Sequence, residues 1–178
     1  LPERGSRTLP RVFASPDERT VRELYHLNGD FFGRVAGMSE DDVVRRHRIC
    51  PHAFNVVMRE RIEGYFVLLP LTGDAAESIV RGEIRAGRQL DAVHFTADWK
   101  SAEAMYISVV CGVGPRAQVM TVNALVDRIR TIHATNRGVT QAFIRAGTVA
   151  GLRALERYAK RKCAADATIE RFMLDEAF

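Results

Sequence analysis

Only three cysteines occur in the 178 residues, at positions 50, 111 and 163. Their odd number and wide spacing exclude a disulfide framework and point to a reducing, cytoplasmic setting. No stretch approaches the roughly 18 consecutive apolar residues of a membrane-spanning helix, so no membrane partner is expected. The opening LPERGSRTLPR is polar and turn-forming, without the apolar centre of a signal peptide. Charge of one sign is not concentrated either. The 26 Lys and Arg stand against 22 Asp and Glu, a net +4 that is scattered along the chain. A nucleic-acid surface would call for a dense basic stripe with interleaved aromatics, so no nucleic-acid partner is expected. Cys50-Pro51-His52 brings two potential ligands together with no second pair nearby, and no metal site is expected. There is no G-x-S-x-G elbow, which excludes the α/β-hydrolase arrangement. CGVGPRAQVM, residues 111–120, has two glycines in a turn but neither the Walker spacing nor a third glycine to complete G-x-G-x-x-G.

What is present is an ordinary globular composition, with 47% apolar residues. The length suits one domain, expected over residues 15–178, preceded by a flexible arm at 1–14. Ser15, Pro16 and Glu18 predict a capping box at the start of a helix whose Val21, Leu24 and Tyr25 share a face. A second helix is predicted from Ser39, with acids ahead of arginines along it. CPHAFNVVMRE and EGYFVLLPLT read as two strands joined by a polar segment, with Pro70 closing the second. Asp74 and Glu77 open a third helix carrying Ala75, Ile79 and Ile84. AMYISVVCG reads as a strand near 104–111. Beyond the turn, Val119, Met120, Val122, Leu125, Val126, Ile129 and Ile132 recur at helical spacing. VTQAFIRA reads as a strand, TVAGLRALERYAKRK as a helix, and TIERFMLD as a final strand. This alternation predicts an α/β fold with at least one helical crossover between parallel strands.

The order of elements and several local stretches resemble the GCN5-related N-acetyltransferase (GNAT) superfamily over roughly residues 17–175. IEGYFVLLPLT is similar to that family's central antiparallel pair, AMYISVVCG to its fourth strand, and AGTVAGLRALERYAKR to the segment where a small-residue turn leads into a tyrosine-bearing helix. The resemblance implies a mixed central sheet with flanking helices, its fourth and fifth strands splayed to admit an acyl-coenzyme A. It implies acetyl-CoA as cosubstrate and direct attack by an amine, from a small molecule or a protein, in a monomer or homodimer. Val109, Val110 and Cys111 would then line the pantetheine and thioester. The family's pyrophosphate motif would fall on Arg116, Ala117, Gln118, Val119, Met120 and Thr121. Val119 and Thr121 occupy its usual glycine and small-residue positions, and the Thr121 hydroxyl could replace a backbone contact.

The same resemblance makes Tyr158 the candidate acid for the departing thiolate. A tyrosine packed along a helix with its hydroxyl at the surface is the structural alternative. Amine attack also needs a proton acceptor. Glu60, His94 and Glu103 are candidates because each lies in or beside an expected central strand, and a base acting through water is equally open. Cys111 reads as a small apolar packing residue rather than a nucleophile. A non-catalytic acyl-CoA-binding or regulatory domain of the same fold is the alternative function.

Overall fold

A computed structural model describes residues 11–32, 38–85, 87–145, 161–162 and 169–173. Seven strands form one sheet: β1 (Arg11–Ala14), β2 (Phe54–Met58), β3 (Ile62–Leu71), β4 (Ala104–Gly112), β5 (Gln141–Arg145), β6 (Arg161–Lys162) and β7 (Ile169–Met173). Their spatial order is β1-β2-β3-β4-β5-β7-β6. β1 to β4 pair antiparallel with their neighbours. β4 and β5 pair parallel, because α4 (Pro115–Thr135) carries the chain back between them. The other helices are α1 (Glu18–Phe32), α2 (Glu40–Ile49) and α3 (Gly73–Val80). Among the described residues no helix is long and apolar enough to cross a membrane.

The sheet separates two apolar layers. On one face Tyr65, Val67, Leu69, Tyr106 and Cys111 pack with Val21 and Leu24 of α1, Val44 of α2 and Ile79 of α3. On the other, Phe66, Leu68, Met105 and Ile107 meet Leu125, Ile129 and Ile132 of α4. β3 has helices over both faces, which explains its unbroken apolar run from Tyr65 to Leu69.

Within the described residues the expected elements form, with five differences. Residues 11–14, assigned to a flexible arm, pair with β2, and all four are exposed, so no burial pattern marks them as a strand. Ser15 does not cap α1. It sits at φ 58, and Asp17 takes the role by accepting the Thr20 N–H at 2.8 Å. β3 runs one residue past Pro70, which pairs with Met105. Ile84 lies beyond α3 but turns back into the same apolar cluster as Ile79. Arg161–Lys162, read as the last turn of a helix, forms β6 because its backbone ladders with Glu170 and Arg171 of β7. The helix expected before it, and Tyr158 within it, lie outside the described residues. The final strand forms at Ile169–Met173.

Candidate functional site

The parallel ladder between β4 and β5 covers only Ala104 to Ile107, opposite Gln141 to Ile144. β5 ends at Arg145, which pairs with Ile169 of β7. β4 continues to Gly112. From Val109 to Gly112 it is therefore paired on its β3 side only, among the described residues. The divergence begins at a bulge. Val67 pairs with Val109 and Leu68 with Ile107, so Ser108 is the extra residue on β4. A bulge bends its strand and raises the local twist, and this one lies just past the last β4 residue paired with β5. The result is a strand edge whose backbone amides and carbonyls can pair with an extended ligand containing amide groups.

That edge leads directly into a helix N-terminus. Gly112 lets the chain turn closely beneath α4, since a Cβ there would lie 2.5 Å from the Gln118 nitrogen. Gly114 is the N-cap at φ 87, a left-handed conformation suited to glycine, and makes no side-chain cap. Pro115 follows at the first helical position. The Gln118 N–H donates to the Gly114 carbonyl at 2.9 Å. The N–H groups of Arg116 and Ala117 have no intrahelical acceptor, and the 21-residue α4 adds its dipole at this point. Unpaired amides, a helix dipole and the exposed Arg116 together suit an anion.

The expected pyrophosphate residues divide by helix face. Ala117 is buried against the sheet, Gln118 and Met120 are half-buried, and Val119 is 61% exposed. The Met120 sulfur accepts from Arg59 Nη2 at 3.2 Å. Thr121 does not offer a hydroxyl to this terminus. It is fully buried, and its Oγ1 donates to the Ala117 carbonyl at 2.8 Å.

Val109 and Cys111 face the layer of α1 to α3, and Val110 faces α4. Burial pushes the Cys111 thiol up to about 11, so it stays protonated near neutral pH, consistent with packing rather than nucleophilic attack. Tyr65, opposite Cys111 in the ladder, is raised in the same direction by burial first and then by Cys111.

The three candidate bases are not gathered in one place. Glu60 is exposed in the β2–β3 turn, at the α4 end of the sheet, where Val113 N–H donates to the Glu63 carbonyl at 2.7 Å. Glu103 and His94 belong to the opposite end. The Glu103 carboxylate accepts the Gly73 N–H at 3.2 Å, at the start of α3. It precedes Ile107 by four strand residues, roughly 13 Å. His94 is held in a short turn by Asp91: its Nδ1 accepts the Asp91 N–H at 3.1 Å and lies 2.8 Å from Oδ1. Its backbone carbonyl receives the Thr72 N–H at 3.1 Å. Glu103 and His94 thus do local structural work, which spacing along a sequence does not disclose.

Sequence reasoning missed Ser108, the bulge that opens the edge, and the packing of Gly64 against β4. Gly64 had a visible signal as the small residue heading an aromatic and apolar strand. Ser108 had only weak polarity within an apolar run.

No family model matches the sequence, and no curated protein matches it. Solved structures do resemble it in three dimensions. An acetyltransferase of the GNAT family from Staphylococcus aureus Mu50 aligns with TM-score 0.62 at 9% identity, covering 94% of this chain and all of that one. The loading GNATL domain of CurA from Lyngbya majuscula gives 0.59 at 14% identity over 78% of this chain, which spans only 65% of that one. The GphF GNAT-like decarboxylase in complex with isobutyryl-CoA gives 0.54 at 18% identity, over 83% and 71% of the two chains. Together with the mixed sheet and its parallel β4–β5 pair, these likenesses give the chain the GNAT fold.

Proposed function

We propose that this chain belongs to the GNAT superfamily and is an acyltransferase that moves an acetyl group from acetyl-CoA to an amine. The observation that carries the proposal is the β4 edge at Ser108–Gly112, without a partner on its β5 side among the described residues and continuous with the free amides at the start of α4. The pantetheine arm carries two amides, which complement a strand edge. The pyrophosphate complements the helix terminus and Arg116. Val109, Val110 and Cys111 would border the arm, and residues 116–120 the phosphates. Val119 projects a side chain where a glycine would leave room, so phosphate contact there falls to the backbone.

In the reaction, the neutral amine nitrogen attacks the thioester carbonyl. The C–S bond breaks, the amine gives up a proton and the coenzyme thiolate takes one. Tyr158 is the proposed donor to the thiolate. Because Glu103 and His94 are engaged with Gly73 and Asp91 at the other end of the sheet, we assign proton removal to water along the open edge, with Glu60, at the α4 end, the remaining side-chain candidate. The acceptor is a small-molecule or protein amine.

The structural engagement of Glu103 and His94 by Gly73 and Asp91 also favours a second reading, a domain that binds acyl-CoA without turning it over. Two measurements distinguish the readings. Both require acetyl-CoA to raise the thermal midpoint, by roughly 5–10 °C at about a hundredfold excess over Kd. Only the enzyme releases free coenzyme A thiol when amines are added. No thermal shift at saturating acetyl-CoA contradicts both, and a shift without thiol release across polyamines, amino acids and basic peptides favours the binding domain.

A further inference from the structure

A second concavity lies on the α4 face of the sheet, away from the β4–β5 divergence. It is a groove of about 470 Å3 between β1–β2 and the middle of α4. It exists because β1 is the edge strand. Val12 pairs with Val57 and Ala14 with Asn55, so all four side chains share the groove face, beyond the reach of α4's main contact with β3 and β4.

Two polar groups in this groove have unmet hydrogen-bonding capacity. Asn55 is 1% exposed, and its Nδ2 donates to the Ala53 carbonyl at 2.9 Å, which fixes the orientation of the amide. Its Oδ1 is buried with no hydrogen-bond partner among the described residues. Arg128, on α4, is half-buried, and its Nε is likewise buried and without a partner. Burial lowers the pKa of this guanidinium, and among the described residues no carboxylate offsets the effect. The neighbouring Asp127 does not neutralise it: that carboxylate points to solvent, 76% exposed, and lies 3.7 Å from Arg130. The rest of the lining is mixed: Val12, Val57, Met120 and Ala124 supply an apolar wall, and Asn123, Asp127 and Thr131 a polar rim.

Each feature restricts the occupant. A buried acceptor needs a donor, and leaving it unmet costs about 1–3 kcal/mol. A half-buried cation without a counter-ion favours an anion over water, because water supplies no compensating charge. The apolar wall favours a short hydrocarbon body over a phosphate or a sugar. We infer that the groove is a binding site for a small aliphatic carboxylate that also bears a hydrogen-bond donor, its carboxylate on Arg128 and its N–H or O–H on Asn55 Oδ1. Aliphatic amino acids and hydroxy acids are the two sources of this chemistry. The site shares only Met120 with the segment assigned to the phosphates, and it uses neither the β4 edge nor the amides at the start of α4.

The test uses the full chain and calorimetric titration with three isosteric probes: L-valine, 2-hydroxy-3-methylbutanoate and 3-methylbutanoate. At least one of the first two is expected to bind with Kd below roughly 10 mM. The third lacks the donor and is expected to bind at least about tenfold more weakly. Which of the first two binds identifies the source. Arg128→Gln, at a half-exposed helix position, is expected to weaken binding at least about tenfold with the thermal midpoint retained. Asn55→Leu is expected to abolish the preference for a donor. If Asn55→Leu fails to fold, Arg128→Gln and the donor-free probe decide alone. Three results overturn the proposal: no binding by either donor-bearing probe at roughly 10 mM, binding indifferent to Arg128→Gln, or displacement of the probe by acetyl-CoA.

Discussion

Thr121 of α4 lies directly over Gly64 of β3, with no room for a Cβ between them. A Cβ on Gly64 would also come within 2.6 Å of the Cys111 carbonyl and 3.1 Å of Gly112 Cα. One glycine therefore sets how closely the first turns of α4 approach the end of β4. This is also why Thr121 is buried: its hydroxyl serves the helix, through the Ala117 carbonyl, and its side chain closes the contact with Gly64.

Gly64→Ala is expected to destabilise the protein by about 2 kcal/mol, the usual scale for overpacking a dense contact. Adding Thr121→Ala should recover part of that loss, because it removes the nearest clashing atom but leaves the Cys111 carbonyl in place. Urea denaturation of the two single variants and the double variant measures the coupling. Equal and additive losses would mean that the two residues do not meet.

Glu103 caps α3 through the Gly73 N–H. Glu103→Ala should cost about 0.5–1 kcal/mol of stability and leave turnover with a saturating amine within roughly twofold of the parent. A catalytic base would instead contribute about a hundredfold or more. Thermal melts and thiol-release rates on the same preparation separate the two roles.

The overall order of elements was legible in the sequence, and the reasons are specific. The start of α2 at Ser39 is present as read, and the structure adds a capping box there, with Ser39 accepting the Asp42 N–H at 3.1 Å and Asp42 reaching back to Ser39. The buried Val21 and Leu24, and Leu125, Ile129 and Ile132, follow from helical spacing alone. β1 was not legible because a four-residue exposed edge strand has no burial pattern, only a partner 40 or more residues away. The site was legible as a place, the end of β4 and the turn into α4. Its individual roles were not. Glu103 and His94 are fixed by hydrogen bonds to Gly73 and to Asp91, and Thr121 by a glycine on another strand. None of those neighbours can be read from spacing.

Val119 is 61% exposed in the first turns of α4. Val119→Gly should open the backbone to phosphate and tighten acetyl-CoA binding about threefold, at a cost in helix stability of roughly 0.5 kcal/mol. Arg116→Ala should weaken the same binding about fivefold, with the loss shrinking at high salt. Calorimetry across an ionic-strength series reads both. Indifference of both variants would place the phosphates elsewhere.

Alkaline pH offers a further check. Burial pushes the thiols of Cys50 and Cys111 up to about 11, from an ordinary value near 9. Each therefore contributes stability that is complete below about pH 9 and is lost as pH rises towards about 11, because the unfolded chain releases these protons first. Tyr65, raised by burial, acts in the same direction at higher pH. Denaturation midpoints should fall across that window, and Cys50→Ala and Cys111→Ala should each flatten the slope. A midpoint that holds steady from pH 9 to 11 would show that these thiols are not protected by burial.

The central claim is that an acyl-CoA occupies the edge where β4 leaves β5. Amide hydrogen exchange with and without saturating acetyl-CoA tests it most directly. The account predicts slowed exchange concentrated at Ser108–Gly112 and at Arg116–Ala117, with Glu103 and the His94 turn unaffected. Unchanged exchange along Ser108–Gly112 in the saturated protein would contradict it.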